Sequence, residues 1–186
     1  SILAYIGDSK PDRDPRALVF LNEIARQMPE KRLMVGGEGW KDTPLPDNVD
    51  TFGHVYTGDL NLLYNSARAV LILNRKPMAD WGHAPSTRLF EAAAAGAAII
   101  TEPMDGLDEF FTPYQELVTA NDGTEAASKL LAISPEKAAE LGHNARKHVL
   151  EDHTYEDRAR HIDRIIRDTF ERKQPEKVRT QANHRM

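Results

Sequence analysis

Apolar positions along this chain follow two periods that take turns. "ILAYIG" (residues 2–7) is an unbroken apolar run and reads as a buried strand. Residues 16–28 then place Ala17, Leu18, Leu21, Ile24, Ala25 and Met28 at helical spacing. "KRLMVGG" is a second strand that ends in glycines, and "NVDTFGHV" a third, shorter and weaker. Asp59 to Ala67 reads as a helix with Leu60, Leu63 and Tyr64 inward, followed by a fourth strand, "AVLILN". "APSTRLFEAAAAG" (84–96) supplies a helix, with Pro85 in its first turn and Gly96 just past its end. "AAIIT" is the fifth strand, "LDEFF" a helical turn, "ELVTA" a sixth strand and Thr124 to Ala132 a helix. Ser134 and Pro135 open another helix as N-cap and first residue. The last helix sets Tyr155, Ala159, Ile162, Ile166 and Phe170 on one face.

Short apolar strands alternating with helices imply parallel pairing and right-handed crossovers, with helices on both sheet faces. The expectation is an α/β fold, a Rossmann-like doubly wound parallel sheet of about six strands with C-terminal helices. Residues 1–170 form the domain, and 171–186 are expected as a basic, flexible tail. The chain is already in a strand at residue 2, which reads as a piece cut from something longer. In such sheets ligands sit at the carboxyl ends of the strands. Those ends are Gly7-Asp8-Ser9, Gly36-Gly37-Glu38, Gly53-His54, Asn74-Arg75 and Glu102 to Gly106.

Composition removes several classes. The 186 residues contain no cysteine, so no thiolate nucleophile and no Cys-ligated zinc. No apolar run approaches the roughly 20 residues of a membrane span, and no signal peptide is evident. A net charge of −5 gives no global case for nucleic acid. The reading is a cytoplasmic protein. His143, His148, His153 and His161 lack the spacing of a helical metal pair and read as surface groups, so no metal site is expected.

The helix at 84–96 carries the most informative pattern. About 100° per residue places Glu91, Ala92 and Ala95 on the side of Arg88. The rest is apolar, and a helix apolar all round is buried, where Arg and Glu need partners. An internal ion pair is one reading, but Arg88 sits in the N-terminal turn, where positive charge is disfavoured. An anion at the helix start favours it there, beside the hydroxyls and free N–H groups of Ser86 and Thr87. Glu91, one turn deeper, suits a diol.

The order "YTGDL … LYNSARAVLILN … STRLFEAAAAGAAIIT … GLDEFF … ELVTA" resembles the nucleotide-sugar-binding half of a group 1 glycosyltransferase with the GT-B fold. Within that family it is most similar to the branch that includes spore-maturation-type proteins. The resemblance spans residues 3–170 and is most specific at "RLFEAAAAGAAIIT" with "GLDEFF". It implies that Glu91 binds the donor ribose and that Ser86, Thr87 and Arg88 face the diphosphate. Many relatives carry a second Glu facing the donor sugar; that position here is His83, and Asp80 and His83 are candidates for the sugar contact. The first loop of relatives often brings a basic group to the diphosphate. Lys10, Arg13 and Arg16 are candidates, with Arg13 preferred. Gly7 allows close approach, Gly36 and Gly37 form a turn near the nucleotide, and Gly53, His54 and Val55 lie where relatives contact the base. Gly106 opens a short helix whose N–H groups suit phosphate or sugar hydroxyls.

The implied activity is transfer of a sugar, of hexosyltransferase type, from a nucleoside diphosphate sugar (UDP or GDP) to an unknown acceptor. Arg88 and Glu91 are the candidate catalytic residues. Arg88, Arg13 and helix-start N–H groups would neutralise the leaving diphosphate without a metal. No tightly bound cofactor is expected. The expected partners are the donor, an acceptor and an N-terminal half that supplies the general base, so this stretch alone is expected to be inactive. A nucleotide-binding regulatory module is the alternative. A nicotinamide oxidoreductase is disfavoured, because "GGEG" lacks the third glycine of the dinucleotide fingerprint.

Overall fold

A computed structural model describes residues 1–9 and 15–182, the side chains of 174–182 excepted. Lys10 and Arg13 lie outside the described residues. Six strands form one sheet: β1 (Leu3–Ile6), β2 (Leu33–Gly36), β3 (Val49–Phe52), β4 (Ala69–Ile72), β5 (Ile99–Thr101) and β6 (Val118–Thr119). Their order is β3-β2-β1-β4-β5-β6, and every pair is parallel. The expected doubly wound sheet is therefore present. Its order reverses between β1 and β4, which opens a crevice at their carboxyl ends.

The helices are α1 (Arg16–Gln27), α2 (Leu60–Asn65), α3 (Lys76–Trp81), α4 (Thr87–Ala94), α5 (Gly123–Ala132), α6 (Pro135–Asp152) and α7 (Tyr155–Ala182). Single 3-10 turns precede α2 and follow β5. Strand periodicity sorts the core onto two faces. Leu3, Tyr5, Leu33, Val35, Leu71 and Ile100 pack with Leu21 and Ile24 of α1 and Leu130 of α5. Val70, Ile72 and Ile99 pack on the other side with Tyr64 of α2 and with Leu89, Ala92 and Ala93 of α4.

The chain divides into two units, Ser1–Val149 and Leu150–Met186. In the second, α7 begins with a reciprocal cap, the Thr154 hydroxyl accepting from the Asp157 amide and the Asp157 carboxylate from the Thr154 amide, both at 3.2 Å. Helix continues to Ala182, past residue 171 where the sequence reading begins a tail. Among the described residues no helix is long and apolar enough to cross a membrane.

Two local expectations are corrected. Pro85 lies outside α4, because Ser86 is the N-cap, its hydroxyl accepting from the Arg88 amide at 3.3 Å. Gly96 does follow the helix end, at φ +79. The helix is not buried all round. Leu89, Ala92 and Ala93 face the sheet, while Thr87 and Glu91 are exposed. Alanine is compatible with either environment, so an Ala-rich face does not specify burial.

Candidate functional site

The crevice between β1 and β4 is built by hydrogen bonds that join four elements. Glu102, at the end of β5, is buried and accepts from the Arg16 guanidinium at the start of α1 and from the Asn74 amide at 2.8 Å. Arg16 also donates to the Asn74 carbonyl at 2.7 Å. Both backbone groups of Asn74, just beyond β4, are thus held. Its side-chain oxygen accepts from the Ser86 amide at 2.8 Å, which ties the start of α4 to the end of β4. The Asn74 side-chain nitrogen is buried and has no hydrogen-bond partner. Arg16, a diphosphate candidate in the sequence, is committed to Glu102 and Asn74. In the sequence Glu102 and Asn74 stand out only as strand ends; nothing there marks the pairing of Glu102 with Arg16 across 86 positions.

Ser86, Thr87 and Arg88 form the first turn of α4, with Glu91 one turn on. Arg88 is half-buried and Glu91 exposed. No ion pair joins them, despite their i,i+3 spacing; the ion pairs among the described residues lie elsewhere. The pKa of the Tyr64 hydroxyl on α2 is raised, chiefly by burial, with the Arg88 charge opposing the shift. The hydroxyl meets neither Arg88 nor Glu91 in hydrogen-bond geometry.

His83 precedes α4 and takes φ +53, unusual for a residue with a Cβ. Three contacts hold it. Its amide donates to the Asp105 carbonyl at 2.7 Å, and its Nδ1 lies 2.8 Å from Glu109 Oε1. Its ring lies on Gly106, where any Cβ would collide with Nδ1. A carboxylate only accepts, so Nδ1 carries the proton and Nε2 is the ring's acceptor in the neutral form. The sequence brings out His83 and Gly106 separately; the structure brings them together and adds Glu109.

The remaining candidates line the other half of the sheet. The Gly7 amide donates to the Gly36 carbonyl at 2.9 Å and the Gly37 amide to the Gly53 carbonyl at 3.0 Å, so backbone bonds link the ends of β1, β2 and β3, and the Asp8 carboxylate adds a bond from the Glu38 amide at 3.0 Å. Gly37, at φ +137, lets this turn close onto the Gly7 carbonyl, which also accepts from the Trp40 indole at 2.5 Å. "VGGEGW" thus serves backbone approach between two loops. Gly53 and His54 are exposed, and Val55 is half-buried against the Gly36 backbone. Asp80, the other sugar-contact candidate, is instead paired with Lys76 at 2.8 Å. Among the described residues no three His, Asp or Glu side chains gather as a metal site. His148 is more than a surface group, since it pairs with the buried Glu116 at 3.0 Å.

The model of the family described as "Glycosyl transferase-like" matches residues 16–164. Among curated proteins, none matches the chain by sequence. Solved structures do. A sucrose-phosphate synthase from Thermosynechococcus elongatus superposes with a TM-score of 0.72 at 20% identity, over 91% of this chain and 45% of that one. Anabaena HepE, in complex with UDP-glucose, gives 0.61 at 15% identity, over 80% of this chain and 44% of that one. The C-terminal domain of the group 1 glycosyl transferase LpcC from Francisella tularensis gives 0.61 at 16% identity, over 83% of this chain and 87% of that one. The chain therefore spans less than half the length of the first two and most of the third. The shared fold is that of the C-terminal domain of GT-B glycosyltransferases.

Proposed function

Because this chain belongs to the glycosyl transferase-like family, we propose that it is the donor-binding half of a glycosyltransferase that moves a sugar from a nucleoside diphosphate sugar to an acceptor. The observation that carries this reading is the start of α4. It is tied to the strand ends at the switch-point crevice, and it presents Arg88 and Glu91 without pairing them to each other. A cation in the first turn of a helix, beside the Thr87 N–H, suits a diphosphate. A carboxylate one turn away offers two acceptor oxygens, which suit the adjacent hydroxyls of a ribose.

In this reading the Arg88 guanidinium and the Thr87 N–H stabilise charge that develops on the leaving diphosphate, in place of a metal ion. His83 Nε2 meets the donor sugar, Gly106 opens the facing turn, and Gly53, His54 and Val55 border the base. Gly7 and Gly37 let the nucleotide approach the loop backbone closely, and Arg13 adds charge to the diphosphate. The rest of the enzyme supplies the acceptor site and the general base in the cytoplasm, so this chain binds donor and transfers nothing by itself. The spore-maturation-type branch is the subfamily proposed. UDP is the first base to try, since HepE was solved with UDP-glucose.

The test is calorimetric titration of the chain with UDP, GDP, TDP and ADP, with chelator present. Binding of one diphosphate, and weaker binding of its nucleoside, is the expected result. Absence of binding to all four removes the reading.

A further inference from the structure

We infer that Glu109 is a positioning residue for His83: it holds the imidazole with its proton on Nδ1, so that Nε2 meets a hydroxyl of the donor sugar as an uncharged acceptor. The inference rests on the donor-site reading above and adds the residue that sets the chemistry of the sugar contact.

The geometry joins two turns. One is Gly82-His83, which follows α3; the other is Asp105-Gly106, which follows β5 and opens the 3-10 turn Leu107–Glu109. The His83 amide donates to the Asp105 carbonyl at 2.7 Å. Gly82, His83 and Gly106 all take positive φ, at +68, +53 and +74. A Cβ on Gly82 would stand 2.8 Å from the Asp105 Cβ, and one on Gly106 would collide with the His83 ring. The turns close on each other because neither facing position carries a side chain. The ring is thereby seated on Gly106, with Nδ1 2.8 Å from Glu109 Oε1.

Folding alone does not ask for this arrangement. His83 has a Cβ, and a left-handed backbone is unfavourable for it. Gly or Asn would hold the turn at less cost. The side chains of His83 and Glu109 are 61% and 57% exposed, and an exposed pair adds little stability. What the two turns secure is the orientation of one imidazole, just ahead of α4.

The carboxylate decides what that imidazole can do. It accepts and cannot donate, so in the neutral ring Nδ1 keeps the proton and Nε2 keeps its lone pair. Neutral histidine in water prefers the opposite form, and a hydrogen bond from Nδ1 reverses the choice. Among the described residues Glu109 is the ring's one hydrogen-bond partner. A sugar hydroxyl donates the bond that Nε2 accepts.

The test titrates the chain with UDP, GDP, TDP and ADP and with the glucose conjugate of each, and follows the pair that binds. The conjugate should bind wild type more tightly than its diphosphate. Glu109→Ala should weaken the conjugate by about tenfold, the scale of one hydrogen bond, and the diphosphate little. Glu109→Gln, whose carbonyl still accepts from Nδ1, should lose less. Adding Glu109→Ala to His83→Ala should cost nothing further, because Glu109 acts through the ring. Nitrogen-15 shifts of the neutral imidazole should show the proton on Nδ1 in wild type and on Nε2 in Glu109→Ala. An unchanged tautomer in Glu109→Ala, equal losses for conjugate and diphosphate, or a Glu109→Gln as weak as Glu109→Ala each overturn the role of Glu109. A wild type that binds conjugate and diphosphate alike removes the sugar contact, and this inference with it, while the diphosphate site stands. A chain that binds none of the eight ligands overturns the donor-site reading itself.

Discussion

The Ser86 amide donates to the Asn74 side-chain oxygen at 2.8 Å, and this bond sets where α4 begins. Asn74 is itself fixed through both backbone groups by Arg16 and Glu102. Removing Glu102 takes one acceptor from the Arg16 guanidinium and leaves the buried Asn74 amide without its acceptor. Glu102→Ala should cost about 3 kcal/mol, the low end for breaking a buried pair because Arg16 keeps some exposure. Glu102→Gln, which keeps acceptor capacity, should cost less. Chemical denaturation of both variants checks the order; equal losses would show that the acceptor geometry is unimportant.

Arg88 sits where the helix dipole disfavours a cation, in the first turn of α4. Arg88→Ala should therefore leave the fold unharmed and weaken a nucleoside diphosphate by roughly 1.5–3 kcal/mol. The corresponding nucleoside should lose little. Titration of both ligands separates the cases, and equal losses exclude a diphosphate contact.

Glu91 is exposed, so its charge needs no compensation from within the fold. The sequence suggested the opposite, a carboxylate on a buried helix. Glu91→Gln should keep the melting temperature and lose roughly 1.5–3 kcal/mol of nucleotide affinity. The 2′,3′-dideoxy nucleotide should bind wild type and variant alike. A dideoxy form that binds wild type as well as its parent would place the ribose elsewhere.

The sheet and most helices were legible because strand and helix periods sort residues onto two core faces. α3 was not, since "KPMADW" buries no residue and so carries no apolar stripe. Ser86 to Glu91 stood out because charge on an apolar helix is anomalous in any fold. Their partners did not stand out. Tyr64 reads as a core aromatic and Glu102 as an ordinary strand end, and only folding brings Tyr64 to α4 or Glu102 to Arg16. His83 and Gly106 were each singled out alone, while Glu109 lay hidden in a short acidic turn.

Gly106 at φ +74 admits the His83 ring against its backbone. Gly106→Ala adds left-handed strain and a collision, together about 1–3 kcal/mol. It should also displace His83 from Glu109. Nitrogen-15 shifts of the His83 ring check this; an undisturbed imidazole in the variant would show that the contact is incidental.

Glu125 supplies the acid dependence. Its pKa is lowered to about 2, first by the Asn121 backbone amide and then by Lys129 and the Asn121 side chain. A depressed carboxylate stabilises the fold above its unfolded pKa, and that contribution is lost as pH falls through the folded value. Wild type should therefore lose more stability than Glu125→Gln between about pH 4.5 and pH 2. Melts across that range compare the two slopes, and parallel curves would remove Glu125 from the acid response.

The pair that closes the crevice spans 86 positions of the chain. During synthesis Arg16 leaves the ribosome long before its carboxylate partner is made. A nascent chain that stops short of residue 102 already contains β1 to β4, yet nothing in it joins the start of α1 to the end of β4 through Glu102. The crevice is therefore incomplete until β5 has been added beside β4. Ligand added to stalled chains should protect those ending well past Glu102 from protease and leave shorter ones as vulnerable as before.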